Sequence, residues 1–138
     1  MTESPLLPHR FQVRVYYEDT DAAGIVYYAN YLRFTERARS EFLRAAGFDH
    51  QLLREKDNLF LAVRRVSVDY KAPARLDDLL VIETTVVEDK NSSFTMRQIV
   101  RRGDDVLVEA NVQIVAVNAL SSRAVRIPPS LRQIFGTK

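Results

Sequence analysis

The chain has 138 residues, of which 46% are hydrophobic and 28% charged, a composition typical of a soluble globular protein. Twenty basic and eighteen acidic side chains leave a formal charge of +2, too small an excess to favour nucleic acid as a partner. The absence of cysteine excludes a disulfide framework, a thiolate nucleophile and a cysteine-based metal site. A chain of this length is expected to form one domain over residues 1–138.

Metal ions, cofactors and membrane insertion are also not expected. The two histidines, His9 and His50, are too far apart in the sequence to have the spacing of a metal site. Residues 1–10 contain no apolar run long enough for a signal peptide. No segment approaches the roughly 20 apolar residues of a membrane span. The sequence therefore predicts a cytoplasmic protein without metal or cofactor.

The first predicted elements are a strand, a turn and a helix. Apolar and polar side chains alternate over residues 11–17, which predicts a half-buried strand, and turn formers follow over residues 18–24. Apolar residues then recur at spacings of three and four, which predicts a helix over residues 30–46. Asn30 is the predicted N-cap of this helix, and Gly47 is predicted to end it.

From residue 59 onward the hydrophobic pattern has the period of two that is typical of strands. The predicted strands cover residues 59–70, 79–87, 93–102 and 106–117, followed by a short strand at 124–127 and a helical turn after Pro129. The last three long strands are expected to form an antiparallel meander. One helix against a long antiparallel sheet is an α+β fold, and the exposed edge of such a sheet favours pairing with a second copy.

The segment between the first strand and the helix carries three carboxylates within four residues, at Glu18, Asp19 and Asp21, followed by Gly24. One interpretation is structural, because Asp, Thr and Gly form turns and acidic side chains suit the start of a helix. The other is catalytic, because a carboxylate beside the unpaired amides of a helix N-terminus combines a nucleophile or base with oxyanion donors. Residues 25–28 are too apolar for a solvated turn, which favours the catalytic interpretation.

Residues 15–31 read VYYEDTDAAGIVYYANY, and this run resembles the signature of the 4-hydroxybenzoyl-CoA thioesterase family. The likeness is greatest to its YbgC branch, the acyl-CoA thioesterases associated with the Tol-Pal system, which FTERAR at residues 34–39 and YKAPARLDD at residues 70–78 also match. The resemblance implies a hotdog fold, homodimers with active sites at the subunit interface, and homotetramers. It also implies hydrolysis of an acyl thioester, with the acyl group carried on CoA or on acyl carrier protein.

The resemblance also assigns roles to individual residues. It implies that Asp21 acts as nucleophile or general base, and that the backbone amide of Tyr28 polarises the thioester carbonyl. Gly24, which permits a positive φ or a close backbone approach, is a predicted substrate-binding residue. Lys90 is a second predicted substrate-binding residue. In aryl-CoA relatives three basic residues at this turn hold the nucleotide phosphates, and Lys90 is the one basic residue that this chain has there. Many members of the YbgC branch have histidine at position 28, whereas the aryl-CoA members have tyrosine.

Some alternatives remain open at the level of the sequence. Glu36 could act like the helix-borne glutamate of another hotdog lineage, or it could form an ion pair with Arg39 or Arg33. The fold could instead serve a non-catalytic module that binds or senses acyl-CoA. A dehydratase would need an active-site histidine, and neither His9 nor His50 is well placed for that role.

Overall fold

A computed structural model describes residues 8–135 of the chain. Its strands are β1 (His9–Arg14), β2 (Leu59–Tyr70), β3 (Leu79–Asp89), β4 (Ser93–Arg102) and β5 (Asp105–Asn118). Its helices are α1 (Asn30–Ala45), α2 (His50–Asp57) and α3 (Pro129–Arg132), with 3-10 turns at Tyr17–Asp19 and Gln133–Phe135. The strands form one antiparallel sheet in the order β1-β3-β4-β5-β2, which confirms the predicted α+β arrangement and the meander of the last three strands.

Helix α1 covers the inner face of this sheet. Tyr31, Phe34 and Ala38 lie on one side of the helix, are at most 3% exposed, and belong to a core cluster with residues of β1, β3 and β5. Burying one such aromatic side chain contributes roughly 1.5–3 kcal/mol. A second cluster lies under α2 and α3 and includes Leu53 and Leu131. The first cluster holds the N-terminal half of α1 against the sheet, next to the carboxylate-rich loop.

The two ends of α1 are formed differently. Gly47 has a φ of +92°, and this left-handed conformation lets the N–H of Phe48 donate to the carbonyl of Leu43 at 2.9 Å. The predicted end of the helix is therefore confirmed. The predicted N-cap is wrong, because Ala29 occupies that position and the side chain of Asn30 donates to a carbonyl in the preceding loop.

Helix α2 was not predicted. The side chain of Asp49 accepts the N–H of Leu52 at 2.7 Å and so caps the helix, and Asn58 ends it with a φ of +48°. Leu53 is the one fully buried residue of this helix, so the sequence lacks a recognisable apolar stripe.

Two predicted strands differ in the structure. The first ends at Arg14, because Tyr17–Asp19 already forms a 3-10 turn. The strand predicted at residues 124–127 is wrong: that segment makes a single bridge, between Val117 and Ala124. The predicted helical turn after Pro129 is confirmed as α3. Within residues 8–135, no helix is both long enough and apolar enough to cross a membrane.

Candidate active site

Residues 20–26 form a tight loop that is closed by its own backbone. Thr20 and Val26 pair as an isolated bridge, the N–H of Asp21 donates to the carbonyl of Ile25 at 2.9 Å, and the N–H of Gly24 donates back to the carbonyl of Asp21 at 3.0 Å. Gly24 has a φ of +78°, and no heavy atom lies within 4 Å of a Cβ built there. Glycine is therefore needed here because the backbone has a positive φ. A Cβ atom at this position would not clash with its neighbours.

The carboxylate of Asp21 is oriented by the same loop. Its Oδ1 accepts the N–H of Ala23 at 2.8 Å, which is an Asx turn. The side chain is exposed on the protomer. Among the described residues, Oδ2 has no hydrogen-bond donor. The loop thus holds the carboxylate in one orientation and leaves one of its oxygens available for chemistry.

The start of α1 supplies unpaired amides next to this carboxylate-bearing loop. The N–H of Tyr27 donates to the carbonyl of Asp19 at 3.0 Å, and the N–H of Asn30 donates to the carbonyl of Tyr27 at 2.8 Å. Between them, the N–H groups of Tyr28 and Ala29 find no protein acceptor within residues 8–135. They lie at the positive end of the helix dipole, so the arrangement suits an acceptor that gains negative charge.

Two other tyrosine rings lie against the ring of Tyr28. The ring of Tyr28 lies 4.9 Å from that of Tyr27 and 6.1 Å from that of Tyr70, measured between centroids. The hydroxyl of Tyr70 donates to the carbonyl of Tyr28 at 3.3 Å. A tyrosine hydroxyl is protonated at neutral pH and can donate this bond, and partial burial raises the pKa of Tyr70 further.

The segment between β2 and β3 is hydrogen-bonded to the loop through the backbone. The N–H of Val26 donates to the carbonyl of Ala74 at 2.9 Å, and the N–H of Leu76 donates to the carbonyl of Gly24 at 3.2 Å. The buried N–H of Ala74 in turn donates to the hydroxyl of Tyr31 at 2.9 Å. Loop, helix and sheet are therefore joined through one short backbone segment.

An ion pair in this supporting segment predicts acid sensitivity. Partial burial raises the pKa of Asp78. Hydrogen bonds from the Arg102 side chain and the Arg75 N–H, together with the charges of both arginines, lower it by more, so the pKa lies below its ordinary value. The stabilisation is therefore present above the ordinary Asp pKa of about 3.9 and is lost as pH falls through the lower folded-state pKa. We expect urea unfolding to show Asp78→Asn less stable than the wild type at neutral pH, with the difference shrinking below about pH 4. A difference that stays constant with pH would contradict this assignment.

Three cavities, together termed the groove, lie between α1 and the edge strand β2, and the first of them is beside the loop. The first, of about 350 Å³, lies between Tyr28 and Tyr70. The second, of about 330 Å³, lies between Leu32 and Val66, and the third, of about 200 Å³, reaches Phe94. Most of the lining is apolar, so the groove suits an acyl group better than a charged ligand.

The groove also contains Glu36. Its carboxylate accepts a hydrogen bond from the Ser40 hydroxyl at 3.1 Å, and that hydroxyl lies 3.1 Å from Nε2 of His50. Within the described chain Glu36 forms no ion pair with Arg39 or Arg33, so that alternative is not observed as a direct contact; Arg39 donates to the side chain of Gln98 at 3.0 Å instead. Glu36 follows Tyr28 by about two helical turns, or roughly 12 Å, which separates it from the amide site of its own protomer.

The predicted substrate-binding residue Lys90 lies far from the loop within one protomer. It is exposed in the turn between β3 and β4, whereas the supporting residue Asp78 precedes β3 at its other end. The intervening strand spans roughly 35 Å at about 3.4 Å per residue. The structure thus places Asp21 and Gly24 in one hydrogen-bonded loop, which the Tyr28 amide follows at the start of α1, and it leaves Lys90 apart. It adds Tyr70 and the side chain of Asn30, which were not predicted as site residues.

Comparisons with known proteins agree with this architecture. A sequence model of the Thioesterase superfamily matches residues 23–109. The acyl-CoA thioesterase YbgC of Haemophilus influenzae is 42% identical over 125 residues, covering 91% of this chain and 92% of that protein. The crystal structure of a "probable thioesterase" from Bartonella henselae is 41% identical, with a TM-score of 0.84 and coverage of 88% of this chain and 99% of the other.

A structure of 4-hydroxybenzoyl-CoA thioesterase supports the fold at lower sequence identity. It has a TM-score of 0.84 at 24% identity and covers 91% of this chain and 96% of the other. The resemblance read from residues 15–31 is thereby confirmed, together with the predicted hotdog fold. The chain shares its fold with 4-hydroxybenzoyl-CoA thioesterase and belongs to the Thioesterase superfamily, with the YbgC thioesterases among its relatives.

Proposed function

We propose that the protein hydrolyses the thioester bond of acyl-CoA, with Asp21 and the backbone amide of Tyr28 as its catalytic groups. The observation that carries this proposal is the combination of an available Asp21 carboxylate oxygen with an unpaired Tyr28 N–H at the start of α1. The family assignment and the name of the Haemophilus influenzae relative support the same substrate class.

In the proposed reaction the thioester carbonyl accepts a hydrogen bond from the Tyr28 N–H. Either Asp21 attacks the carbonyl carbon, or it removes a proton from a water molecule that attacks instead. Both routes give a tetrahedral oxyanion, whose stabilisation by one preorganised amide is worth about 2.7–4 kcal/mol. Cleavage of the C–S bond then releases CoA as a thiolate, which takes a proton from the protonated Asp21 on the general-base route and from water on the nucleophilic route. On the nucleophilic route the cleavage leaves a mixed anhydride with Asp21, which water hydrolyses to the acid.

Kinetics with matched substrates test the function and the identity of the carrier. We expect release of free thiol from a series of acyl-CoAs of increasing chain length, because the groove along α1 is apolar and extends beyond Tyr28. The same acyl groups on acyl carrier protein would show whether the carrier contributes to recognition. Tight binding of acyl-CoA without turnover would contradict hydrolysis and favour a binding or sensing module on the same fold.

The active unit in this proposal is a homodimer formed through β2. This strand is at the edge of the sheet, and the apolar side chains of Val63, Val66 and Leu32 beside it are 48%, 39% and 45% exposed. Antiparallel pairing with the β2 of a second copy would bury these side chains and shield the exposed Asp21. Lys90 of the second copy is then our candidate for binding the CoA phosphates, because the Lys90 of the same protomer lies far from the loop.

A substitution that places a charge on the edge strand β2 tests the proposed homodimer. We expect Val66→Lys to convert the homodimer, and the homotetramer that two dimers would form, into monomers with little activity, because an unpaired charge would be buried at the interface. Analytical ultracentrifugation measures the change. Thr95→Lys, a change on β4 away from the β2 edge, is the control for the dimer. A Val66→Lys protein that remains dimeric and fully active would contradict pairing through β2.

A cytoplasmic location and an association with the Tol-Pal system complete the proposal. Both are supported by the resemblance to the YbgC branch, whose likeness to this chain extends over most of its length. Cell fractionation followed by immunoblotting tests the location. Co-purification of Tol-Pal components with the tagged protein tests the association, and its absence under mild extraction would contradict it.

A further inference from the structure

The side chain of Asn30 ties together the two ends of the loop that carries Asp21. Its Nδ2 donates to the carbonyl oxygen of Asp19 at 2.9 Å, across eleven positions of the sequence and in a partly buried setting. The same oxygen accepts the N–H of Tyr27 at 3.0 Å. Asp19 lies two residues before Asp21, and Tyr27 lies one residue before Tyr28. The carbonyl oxygen of Asp19 thus links the segment that leads to the Asp21 carboxylate with the segment that leads to the Tyr28 amide.

Asn30 makes this contact in place of the capping bond expected of an asparagine at a helix start. No side chain caps the first turn of α1, and Ala29 at the N-cap has helical backbone angles. The amides of Tyr28 and Ala29 therefore stay unpaired in the described part of the chain. The residue after Asn30, Tyr31, is buried in the core, so the tie connects the loop to a rigid element.

We infer that Asn30 is a positioning residue for thioester hydrolysis, which sets the separation between the Asp21 carboxylate and the Tyr28 amide. This inference rests on the proposed function of those two groups. Without the Asn30 donor, the Asp19 carbonyl keeps only the N–H of Tyr27, and the segment before Asp21 can shift relative to α1. A shift of about 1 Å between reacting groups can lower a rate by about 10²-fold.

The test compares Asn30→Asp in two backgrounds. This variant keeps the shape of the side chain but replaces the donor with a carboxylate oxygen that repels the Asp19 carbonyl. We expect kcat for acyl-CoA hydrolysis to fall by about 30- to 100-fold, with KM changed by less than about threefold. In the Asp21→Asn background, the same substitution is expected to change the single-turnover rate by less than about threefold, because misalignment matters only while Asp21 reacts.

A second pair of variants separates positioning from general stability. Asn118 also uses its side chain to order a loop, because its Oδ1 accepts the N–H groups of Leu120 and Ser121, both at 2.9 Å. Asn30→Ala and Asn118→Ala each remove one such anchor. Both are expected to lower the midpoint of thermal unfolding, whereas only Asn30→Ala should lower kcat. Asn30→Ala also carries the comparison if Asn30→Asp does not fold.

Equal losses of activity in both Asn30 and Asn118 variants, or an unchanged kcat in Asn30→Asp, would overturn the inference. So would a loss in the Asp21→Asn background as large as in the wild type, because Asn30 would then act independently of Asp21. An Asp21→Asn protein with full activity is a different outcome. It would overturn the proposed function, and the positioning role would fall with it.

Discussion

Asp21→Asn is expected to lower kcat for acyl-CoA hydrolysis by about 10²- to 10⁴-fold, the range contributed by a positioned acid–base group. The amide of asparagine can still accept the N–H of Ala23, so the Asx turn and the loop should be retained. It cannot act as a carboxylate nucleophile or as a base at neutral pH. KM should change little, since we expect the acyl group to bind mainly in the apolar groove. Steady-state kinetics with the best acyl-CoA substrate measure the effect.

Glu18→Gln is the matched control for this variant. Glu18 is an exposed carboxylate three residues from Asp21, and within residues 8–135 its side chain has no hydrogen-bond partner. Glu18→Gln removes the same one negative charge from the loop as Asp21→Asn, without touching the reacting group. We expect its kcat to stay within about twofold of the wild type. Similar losses in both variants would point to a general effect of loop charge and contradict a specific role for Asp21.

Tyr28→Pro is expected to lower kcat by about 10²- to 10³-fold, the cost of removing one oxyanion-hole donor. Proline has no backbone N–H, so this is the one substitution that removes the donor itself. The loss should appear in kcat, because the hydrogen bond strengthens as negative charge develops on the carbonyl oxygen. Proline also restricts Tyr27, so thermal unfolding must confirm that the variant is folded before the rates are compared.

Two further variants at position 28 separate the amide from the ring. Tyr28→Phe keeps the amide and the aromatic contacts with Tyr27 and Tyr70, and it should retain activity within about threefold. Tyr28→Ala keeps the amide but loses the ring contacts and part of the groove lining, so its main change is expected in KM. A Tyr28→Ala protein as slow in kcat as Tyr28→Pro would contradict the role of the amide.

Much of the fold could be predicted from local pattern, because its main elements have regular hydrophobic periods. The stripe that includes Tyr31, Phe34 and Ala38 predicts α1, and these side chains do fill the core. The alternation over β4 predicts a strand with the bounds that are observed. Helix α2 was missed because a short surface helix with one buried leucine has almost no period to detect.

The start of α1 illustrates the limit of local rules. Asparagine before an apolar stripe is a good N-cap in terms of its intrinsic preference, and this was the basis for assigning Asn30 to that position. In the structure its side chain instead satisfies a carbonyl eleven residues away. A contact of this kind depends on the path of the loop in space, and the residues next to Asn30 contain no information about it.

Some residues of the candidate site could likewise be predicted from the sequence, and others could not. Asp21, Gly24 and Tyr28 could be predicted because they fall within one continuous signature, and their roles remain predictions. The family model matches residues 23–109, so it includes Gly24 and Tyr28 but begins after Asp21. Tyr70 could not be predicted, because its hydrogen bond to Tyr28 spans 42 positions and depends on how the end of β2 meets the loop. The role of Lys90 in binding CoA remains a prediction. Lys90 lies far from the loop of its own protomer, so we expect it to act only across a subunit interface.

The most direct test of the central claim is the number of thiol groups released per protomer from an acyl-CoA substrate, measured for the wild type and for Asp21→Asn with binding monitored in parallel. The account predicts many equivalents from the wild type. It predicts a very slow reaction from Asp21→Asn, which should still bind the substrate. Release of no more than one equivalent by the wild type, or equal turnover by both proteins, would contradict catalysis by Asp21.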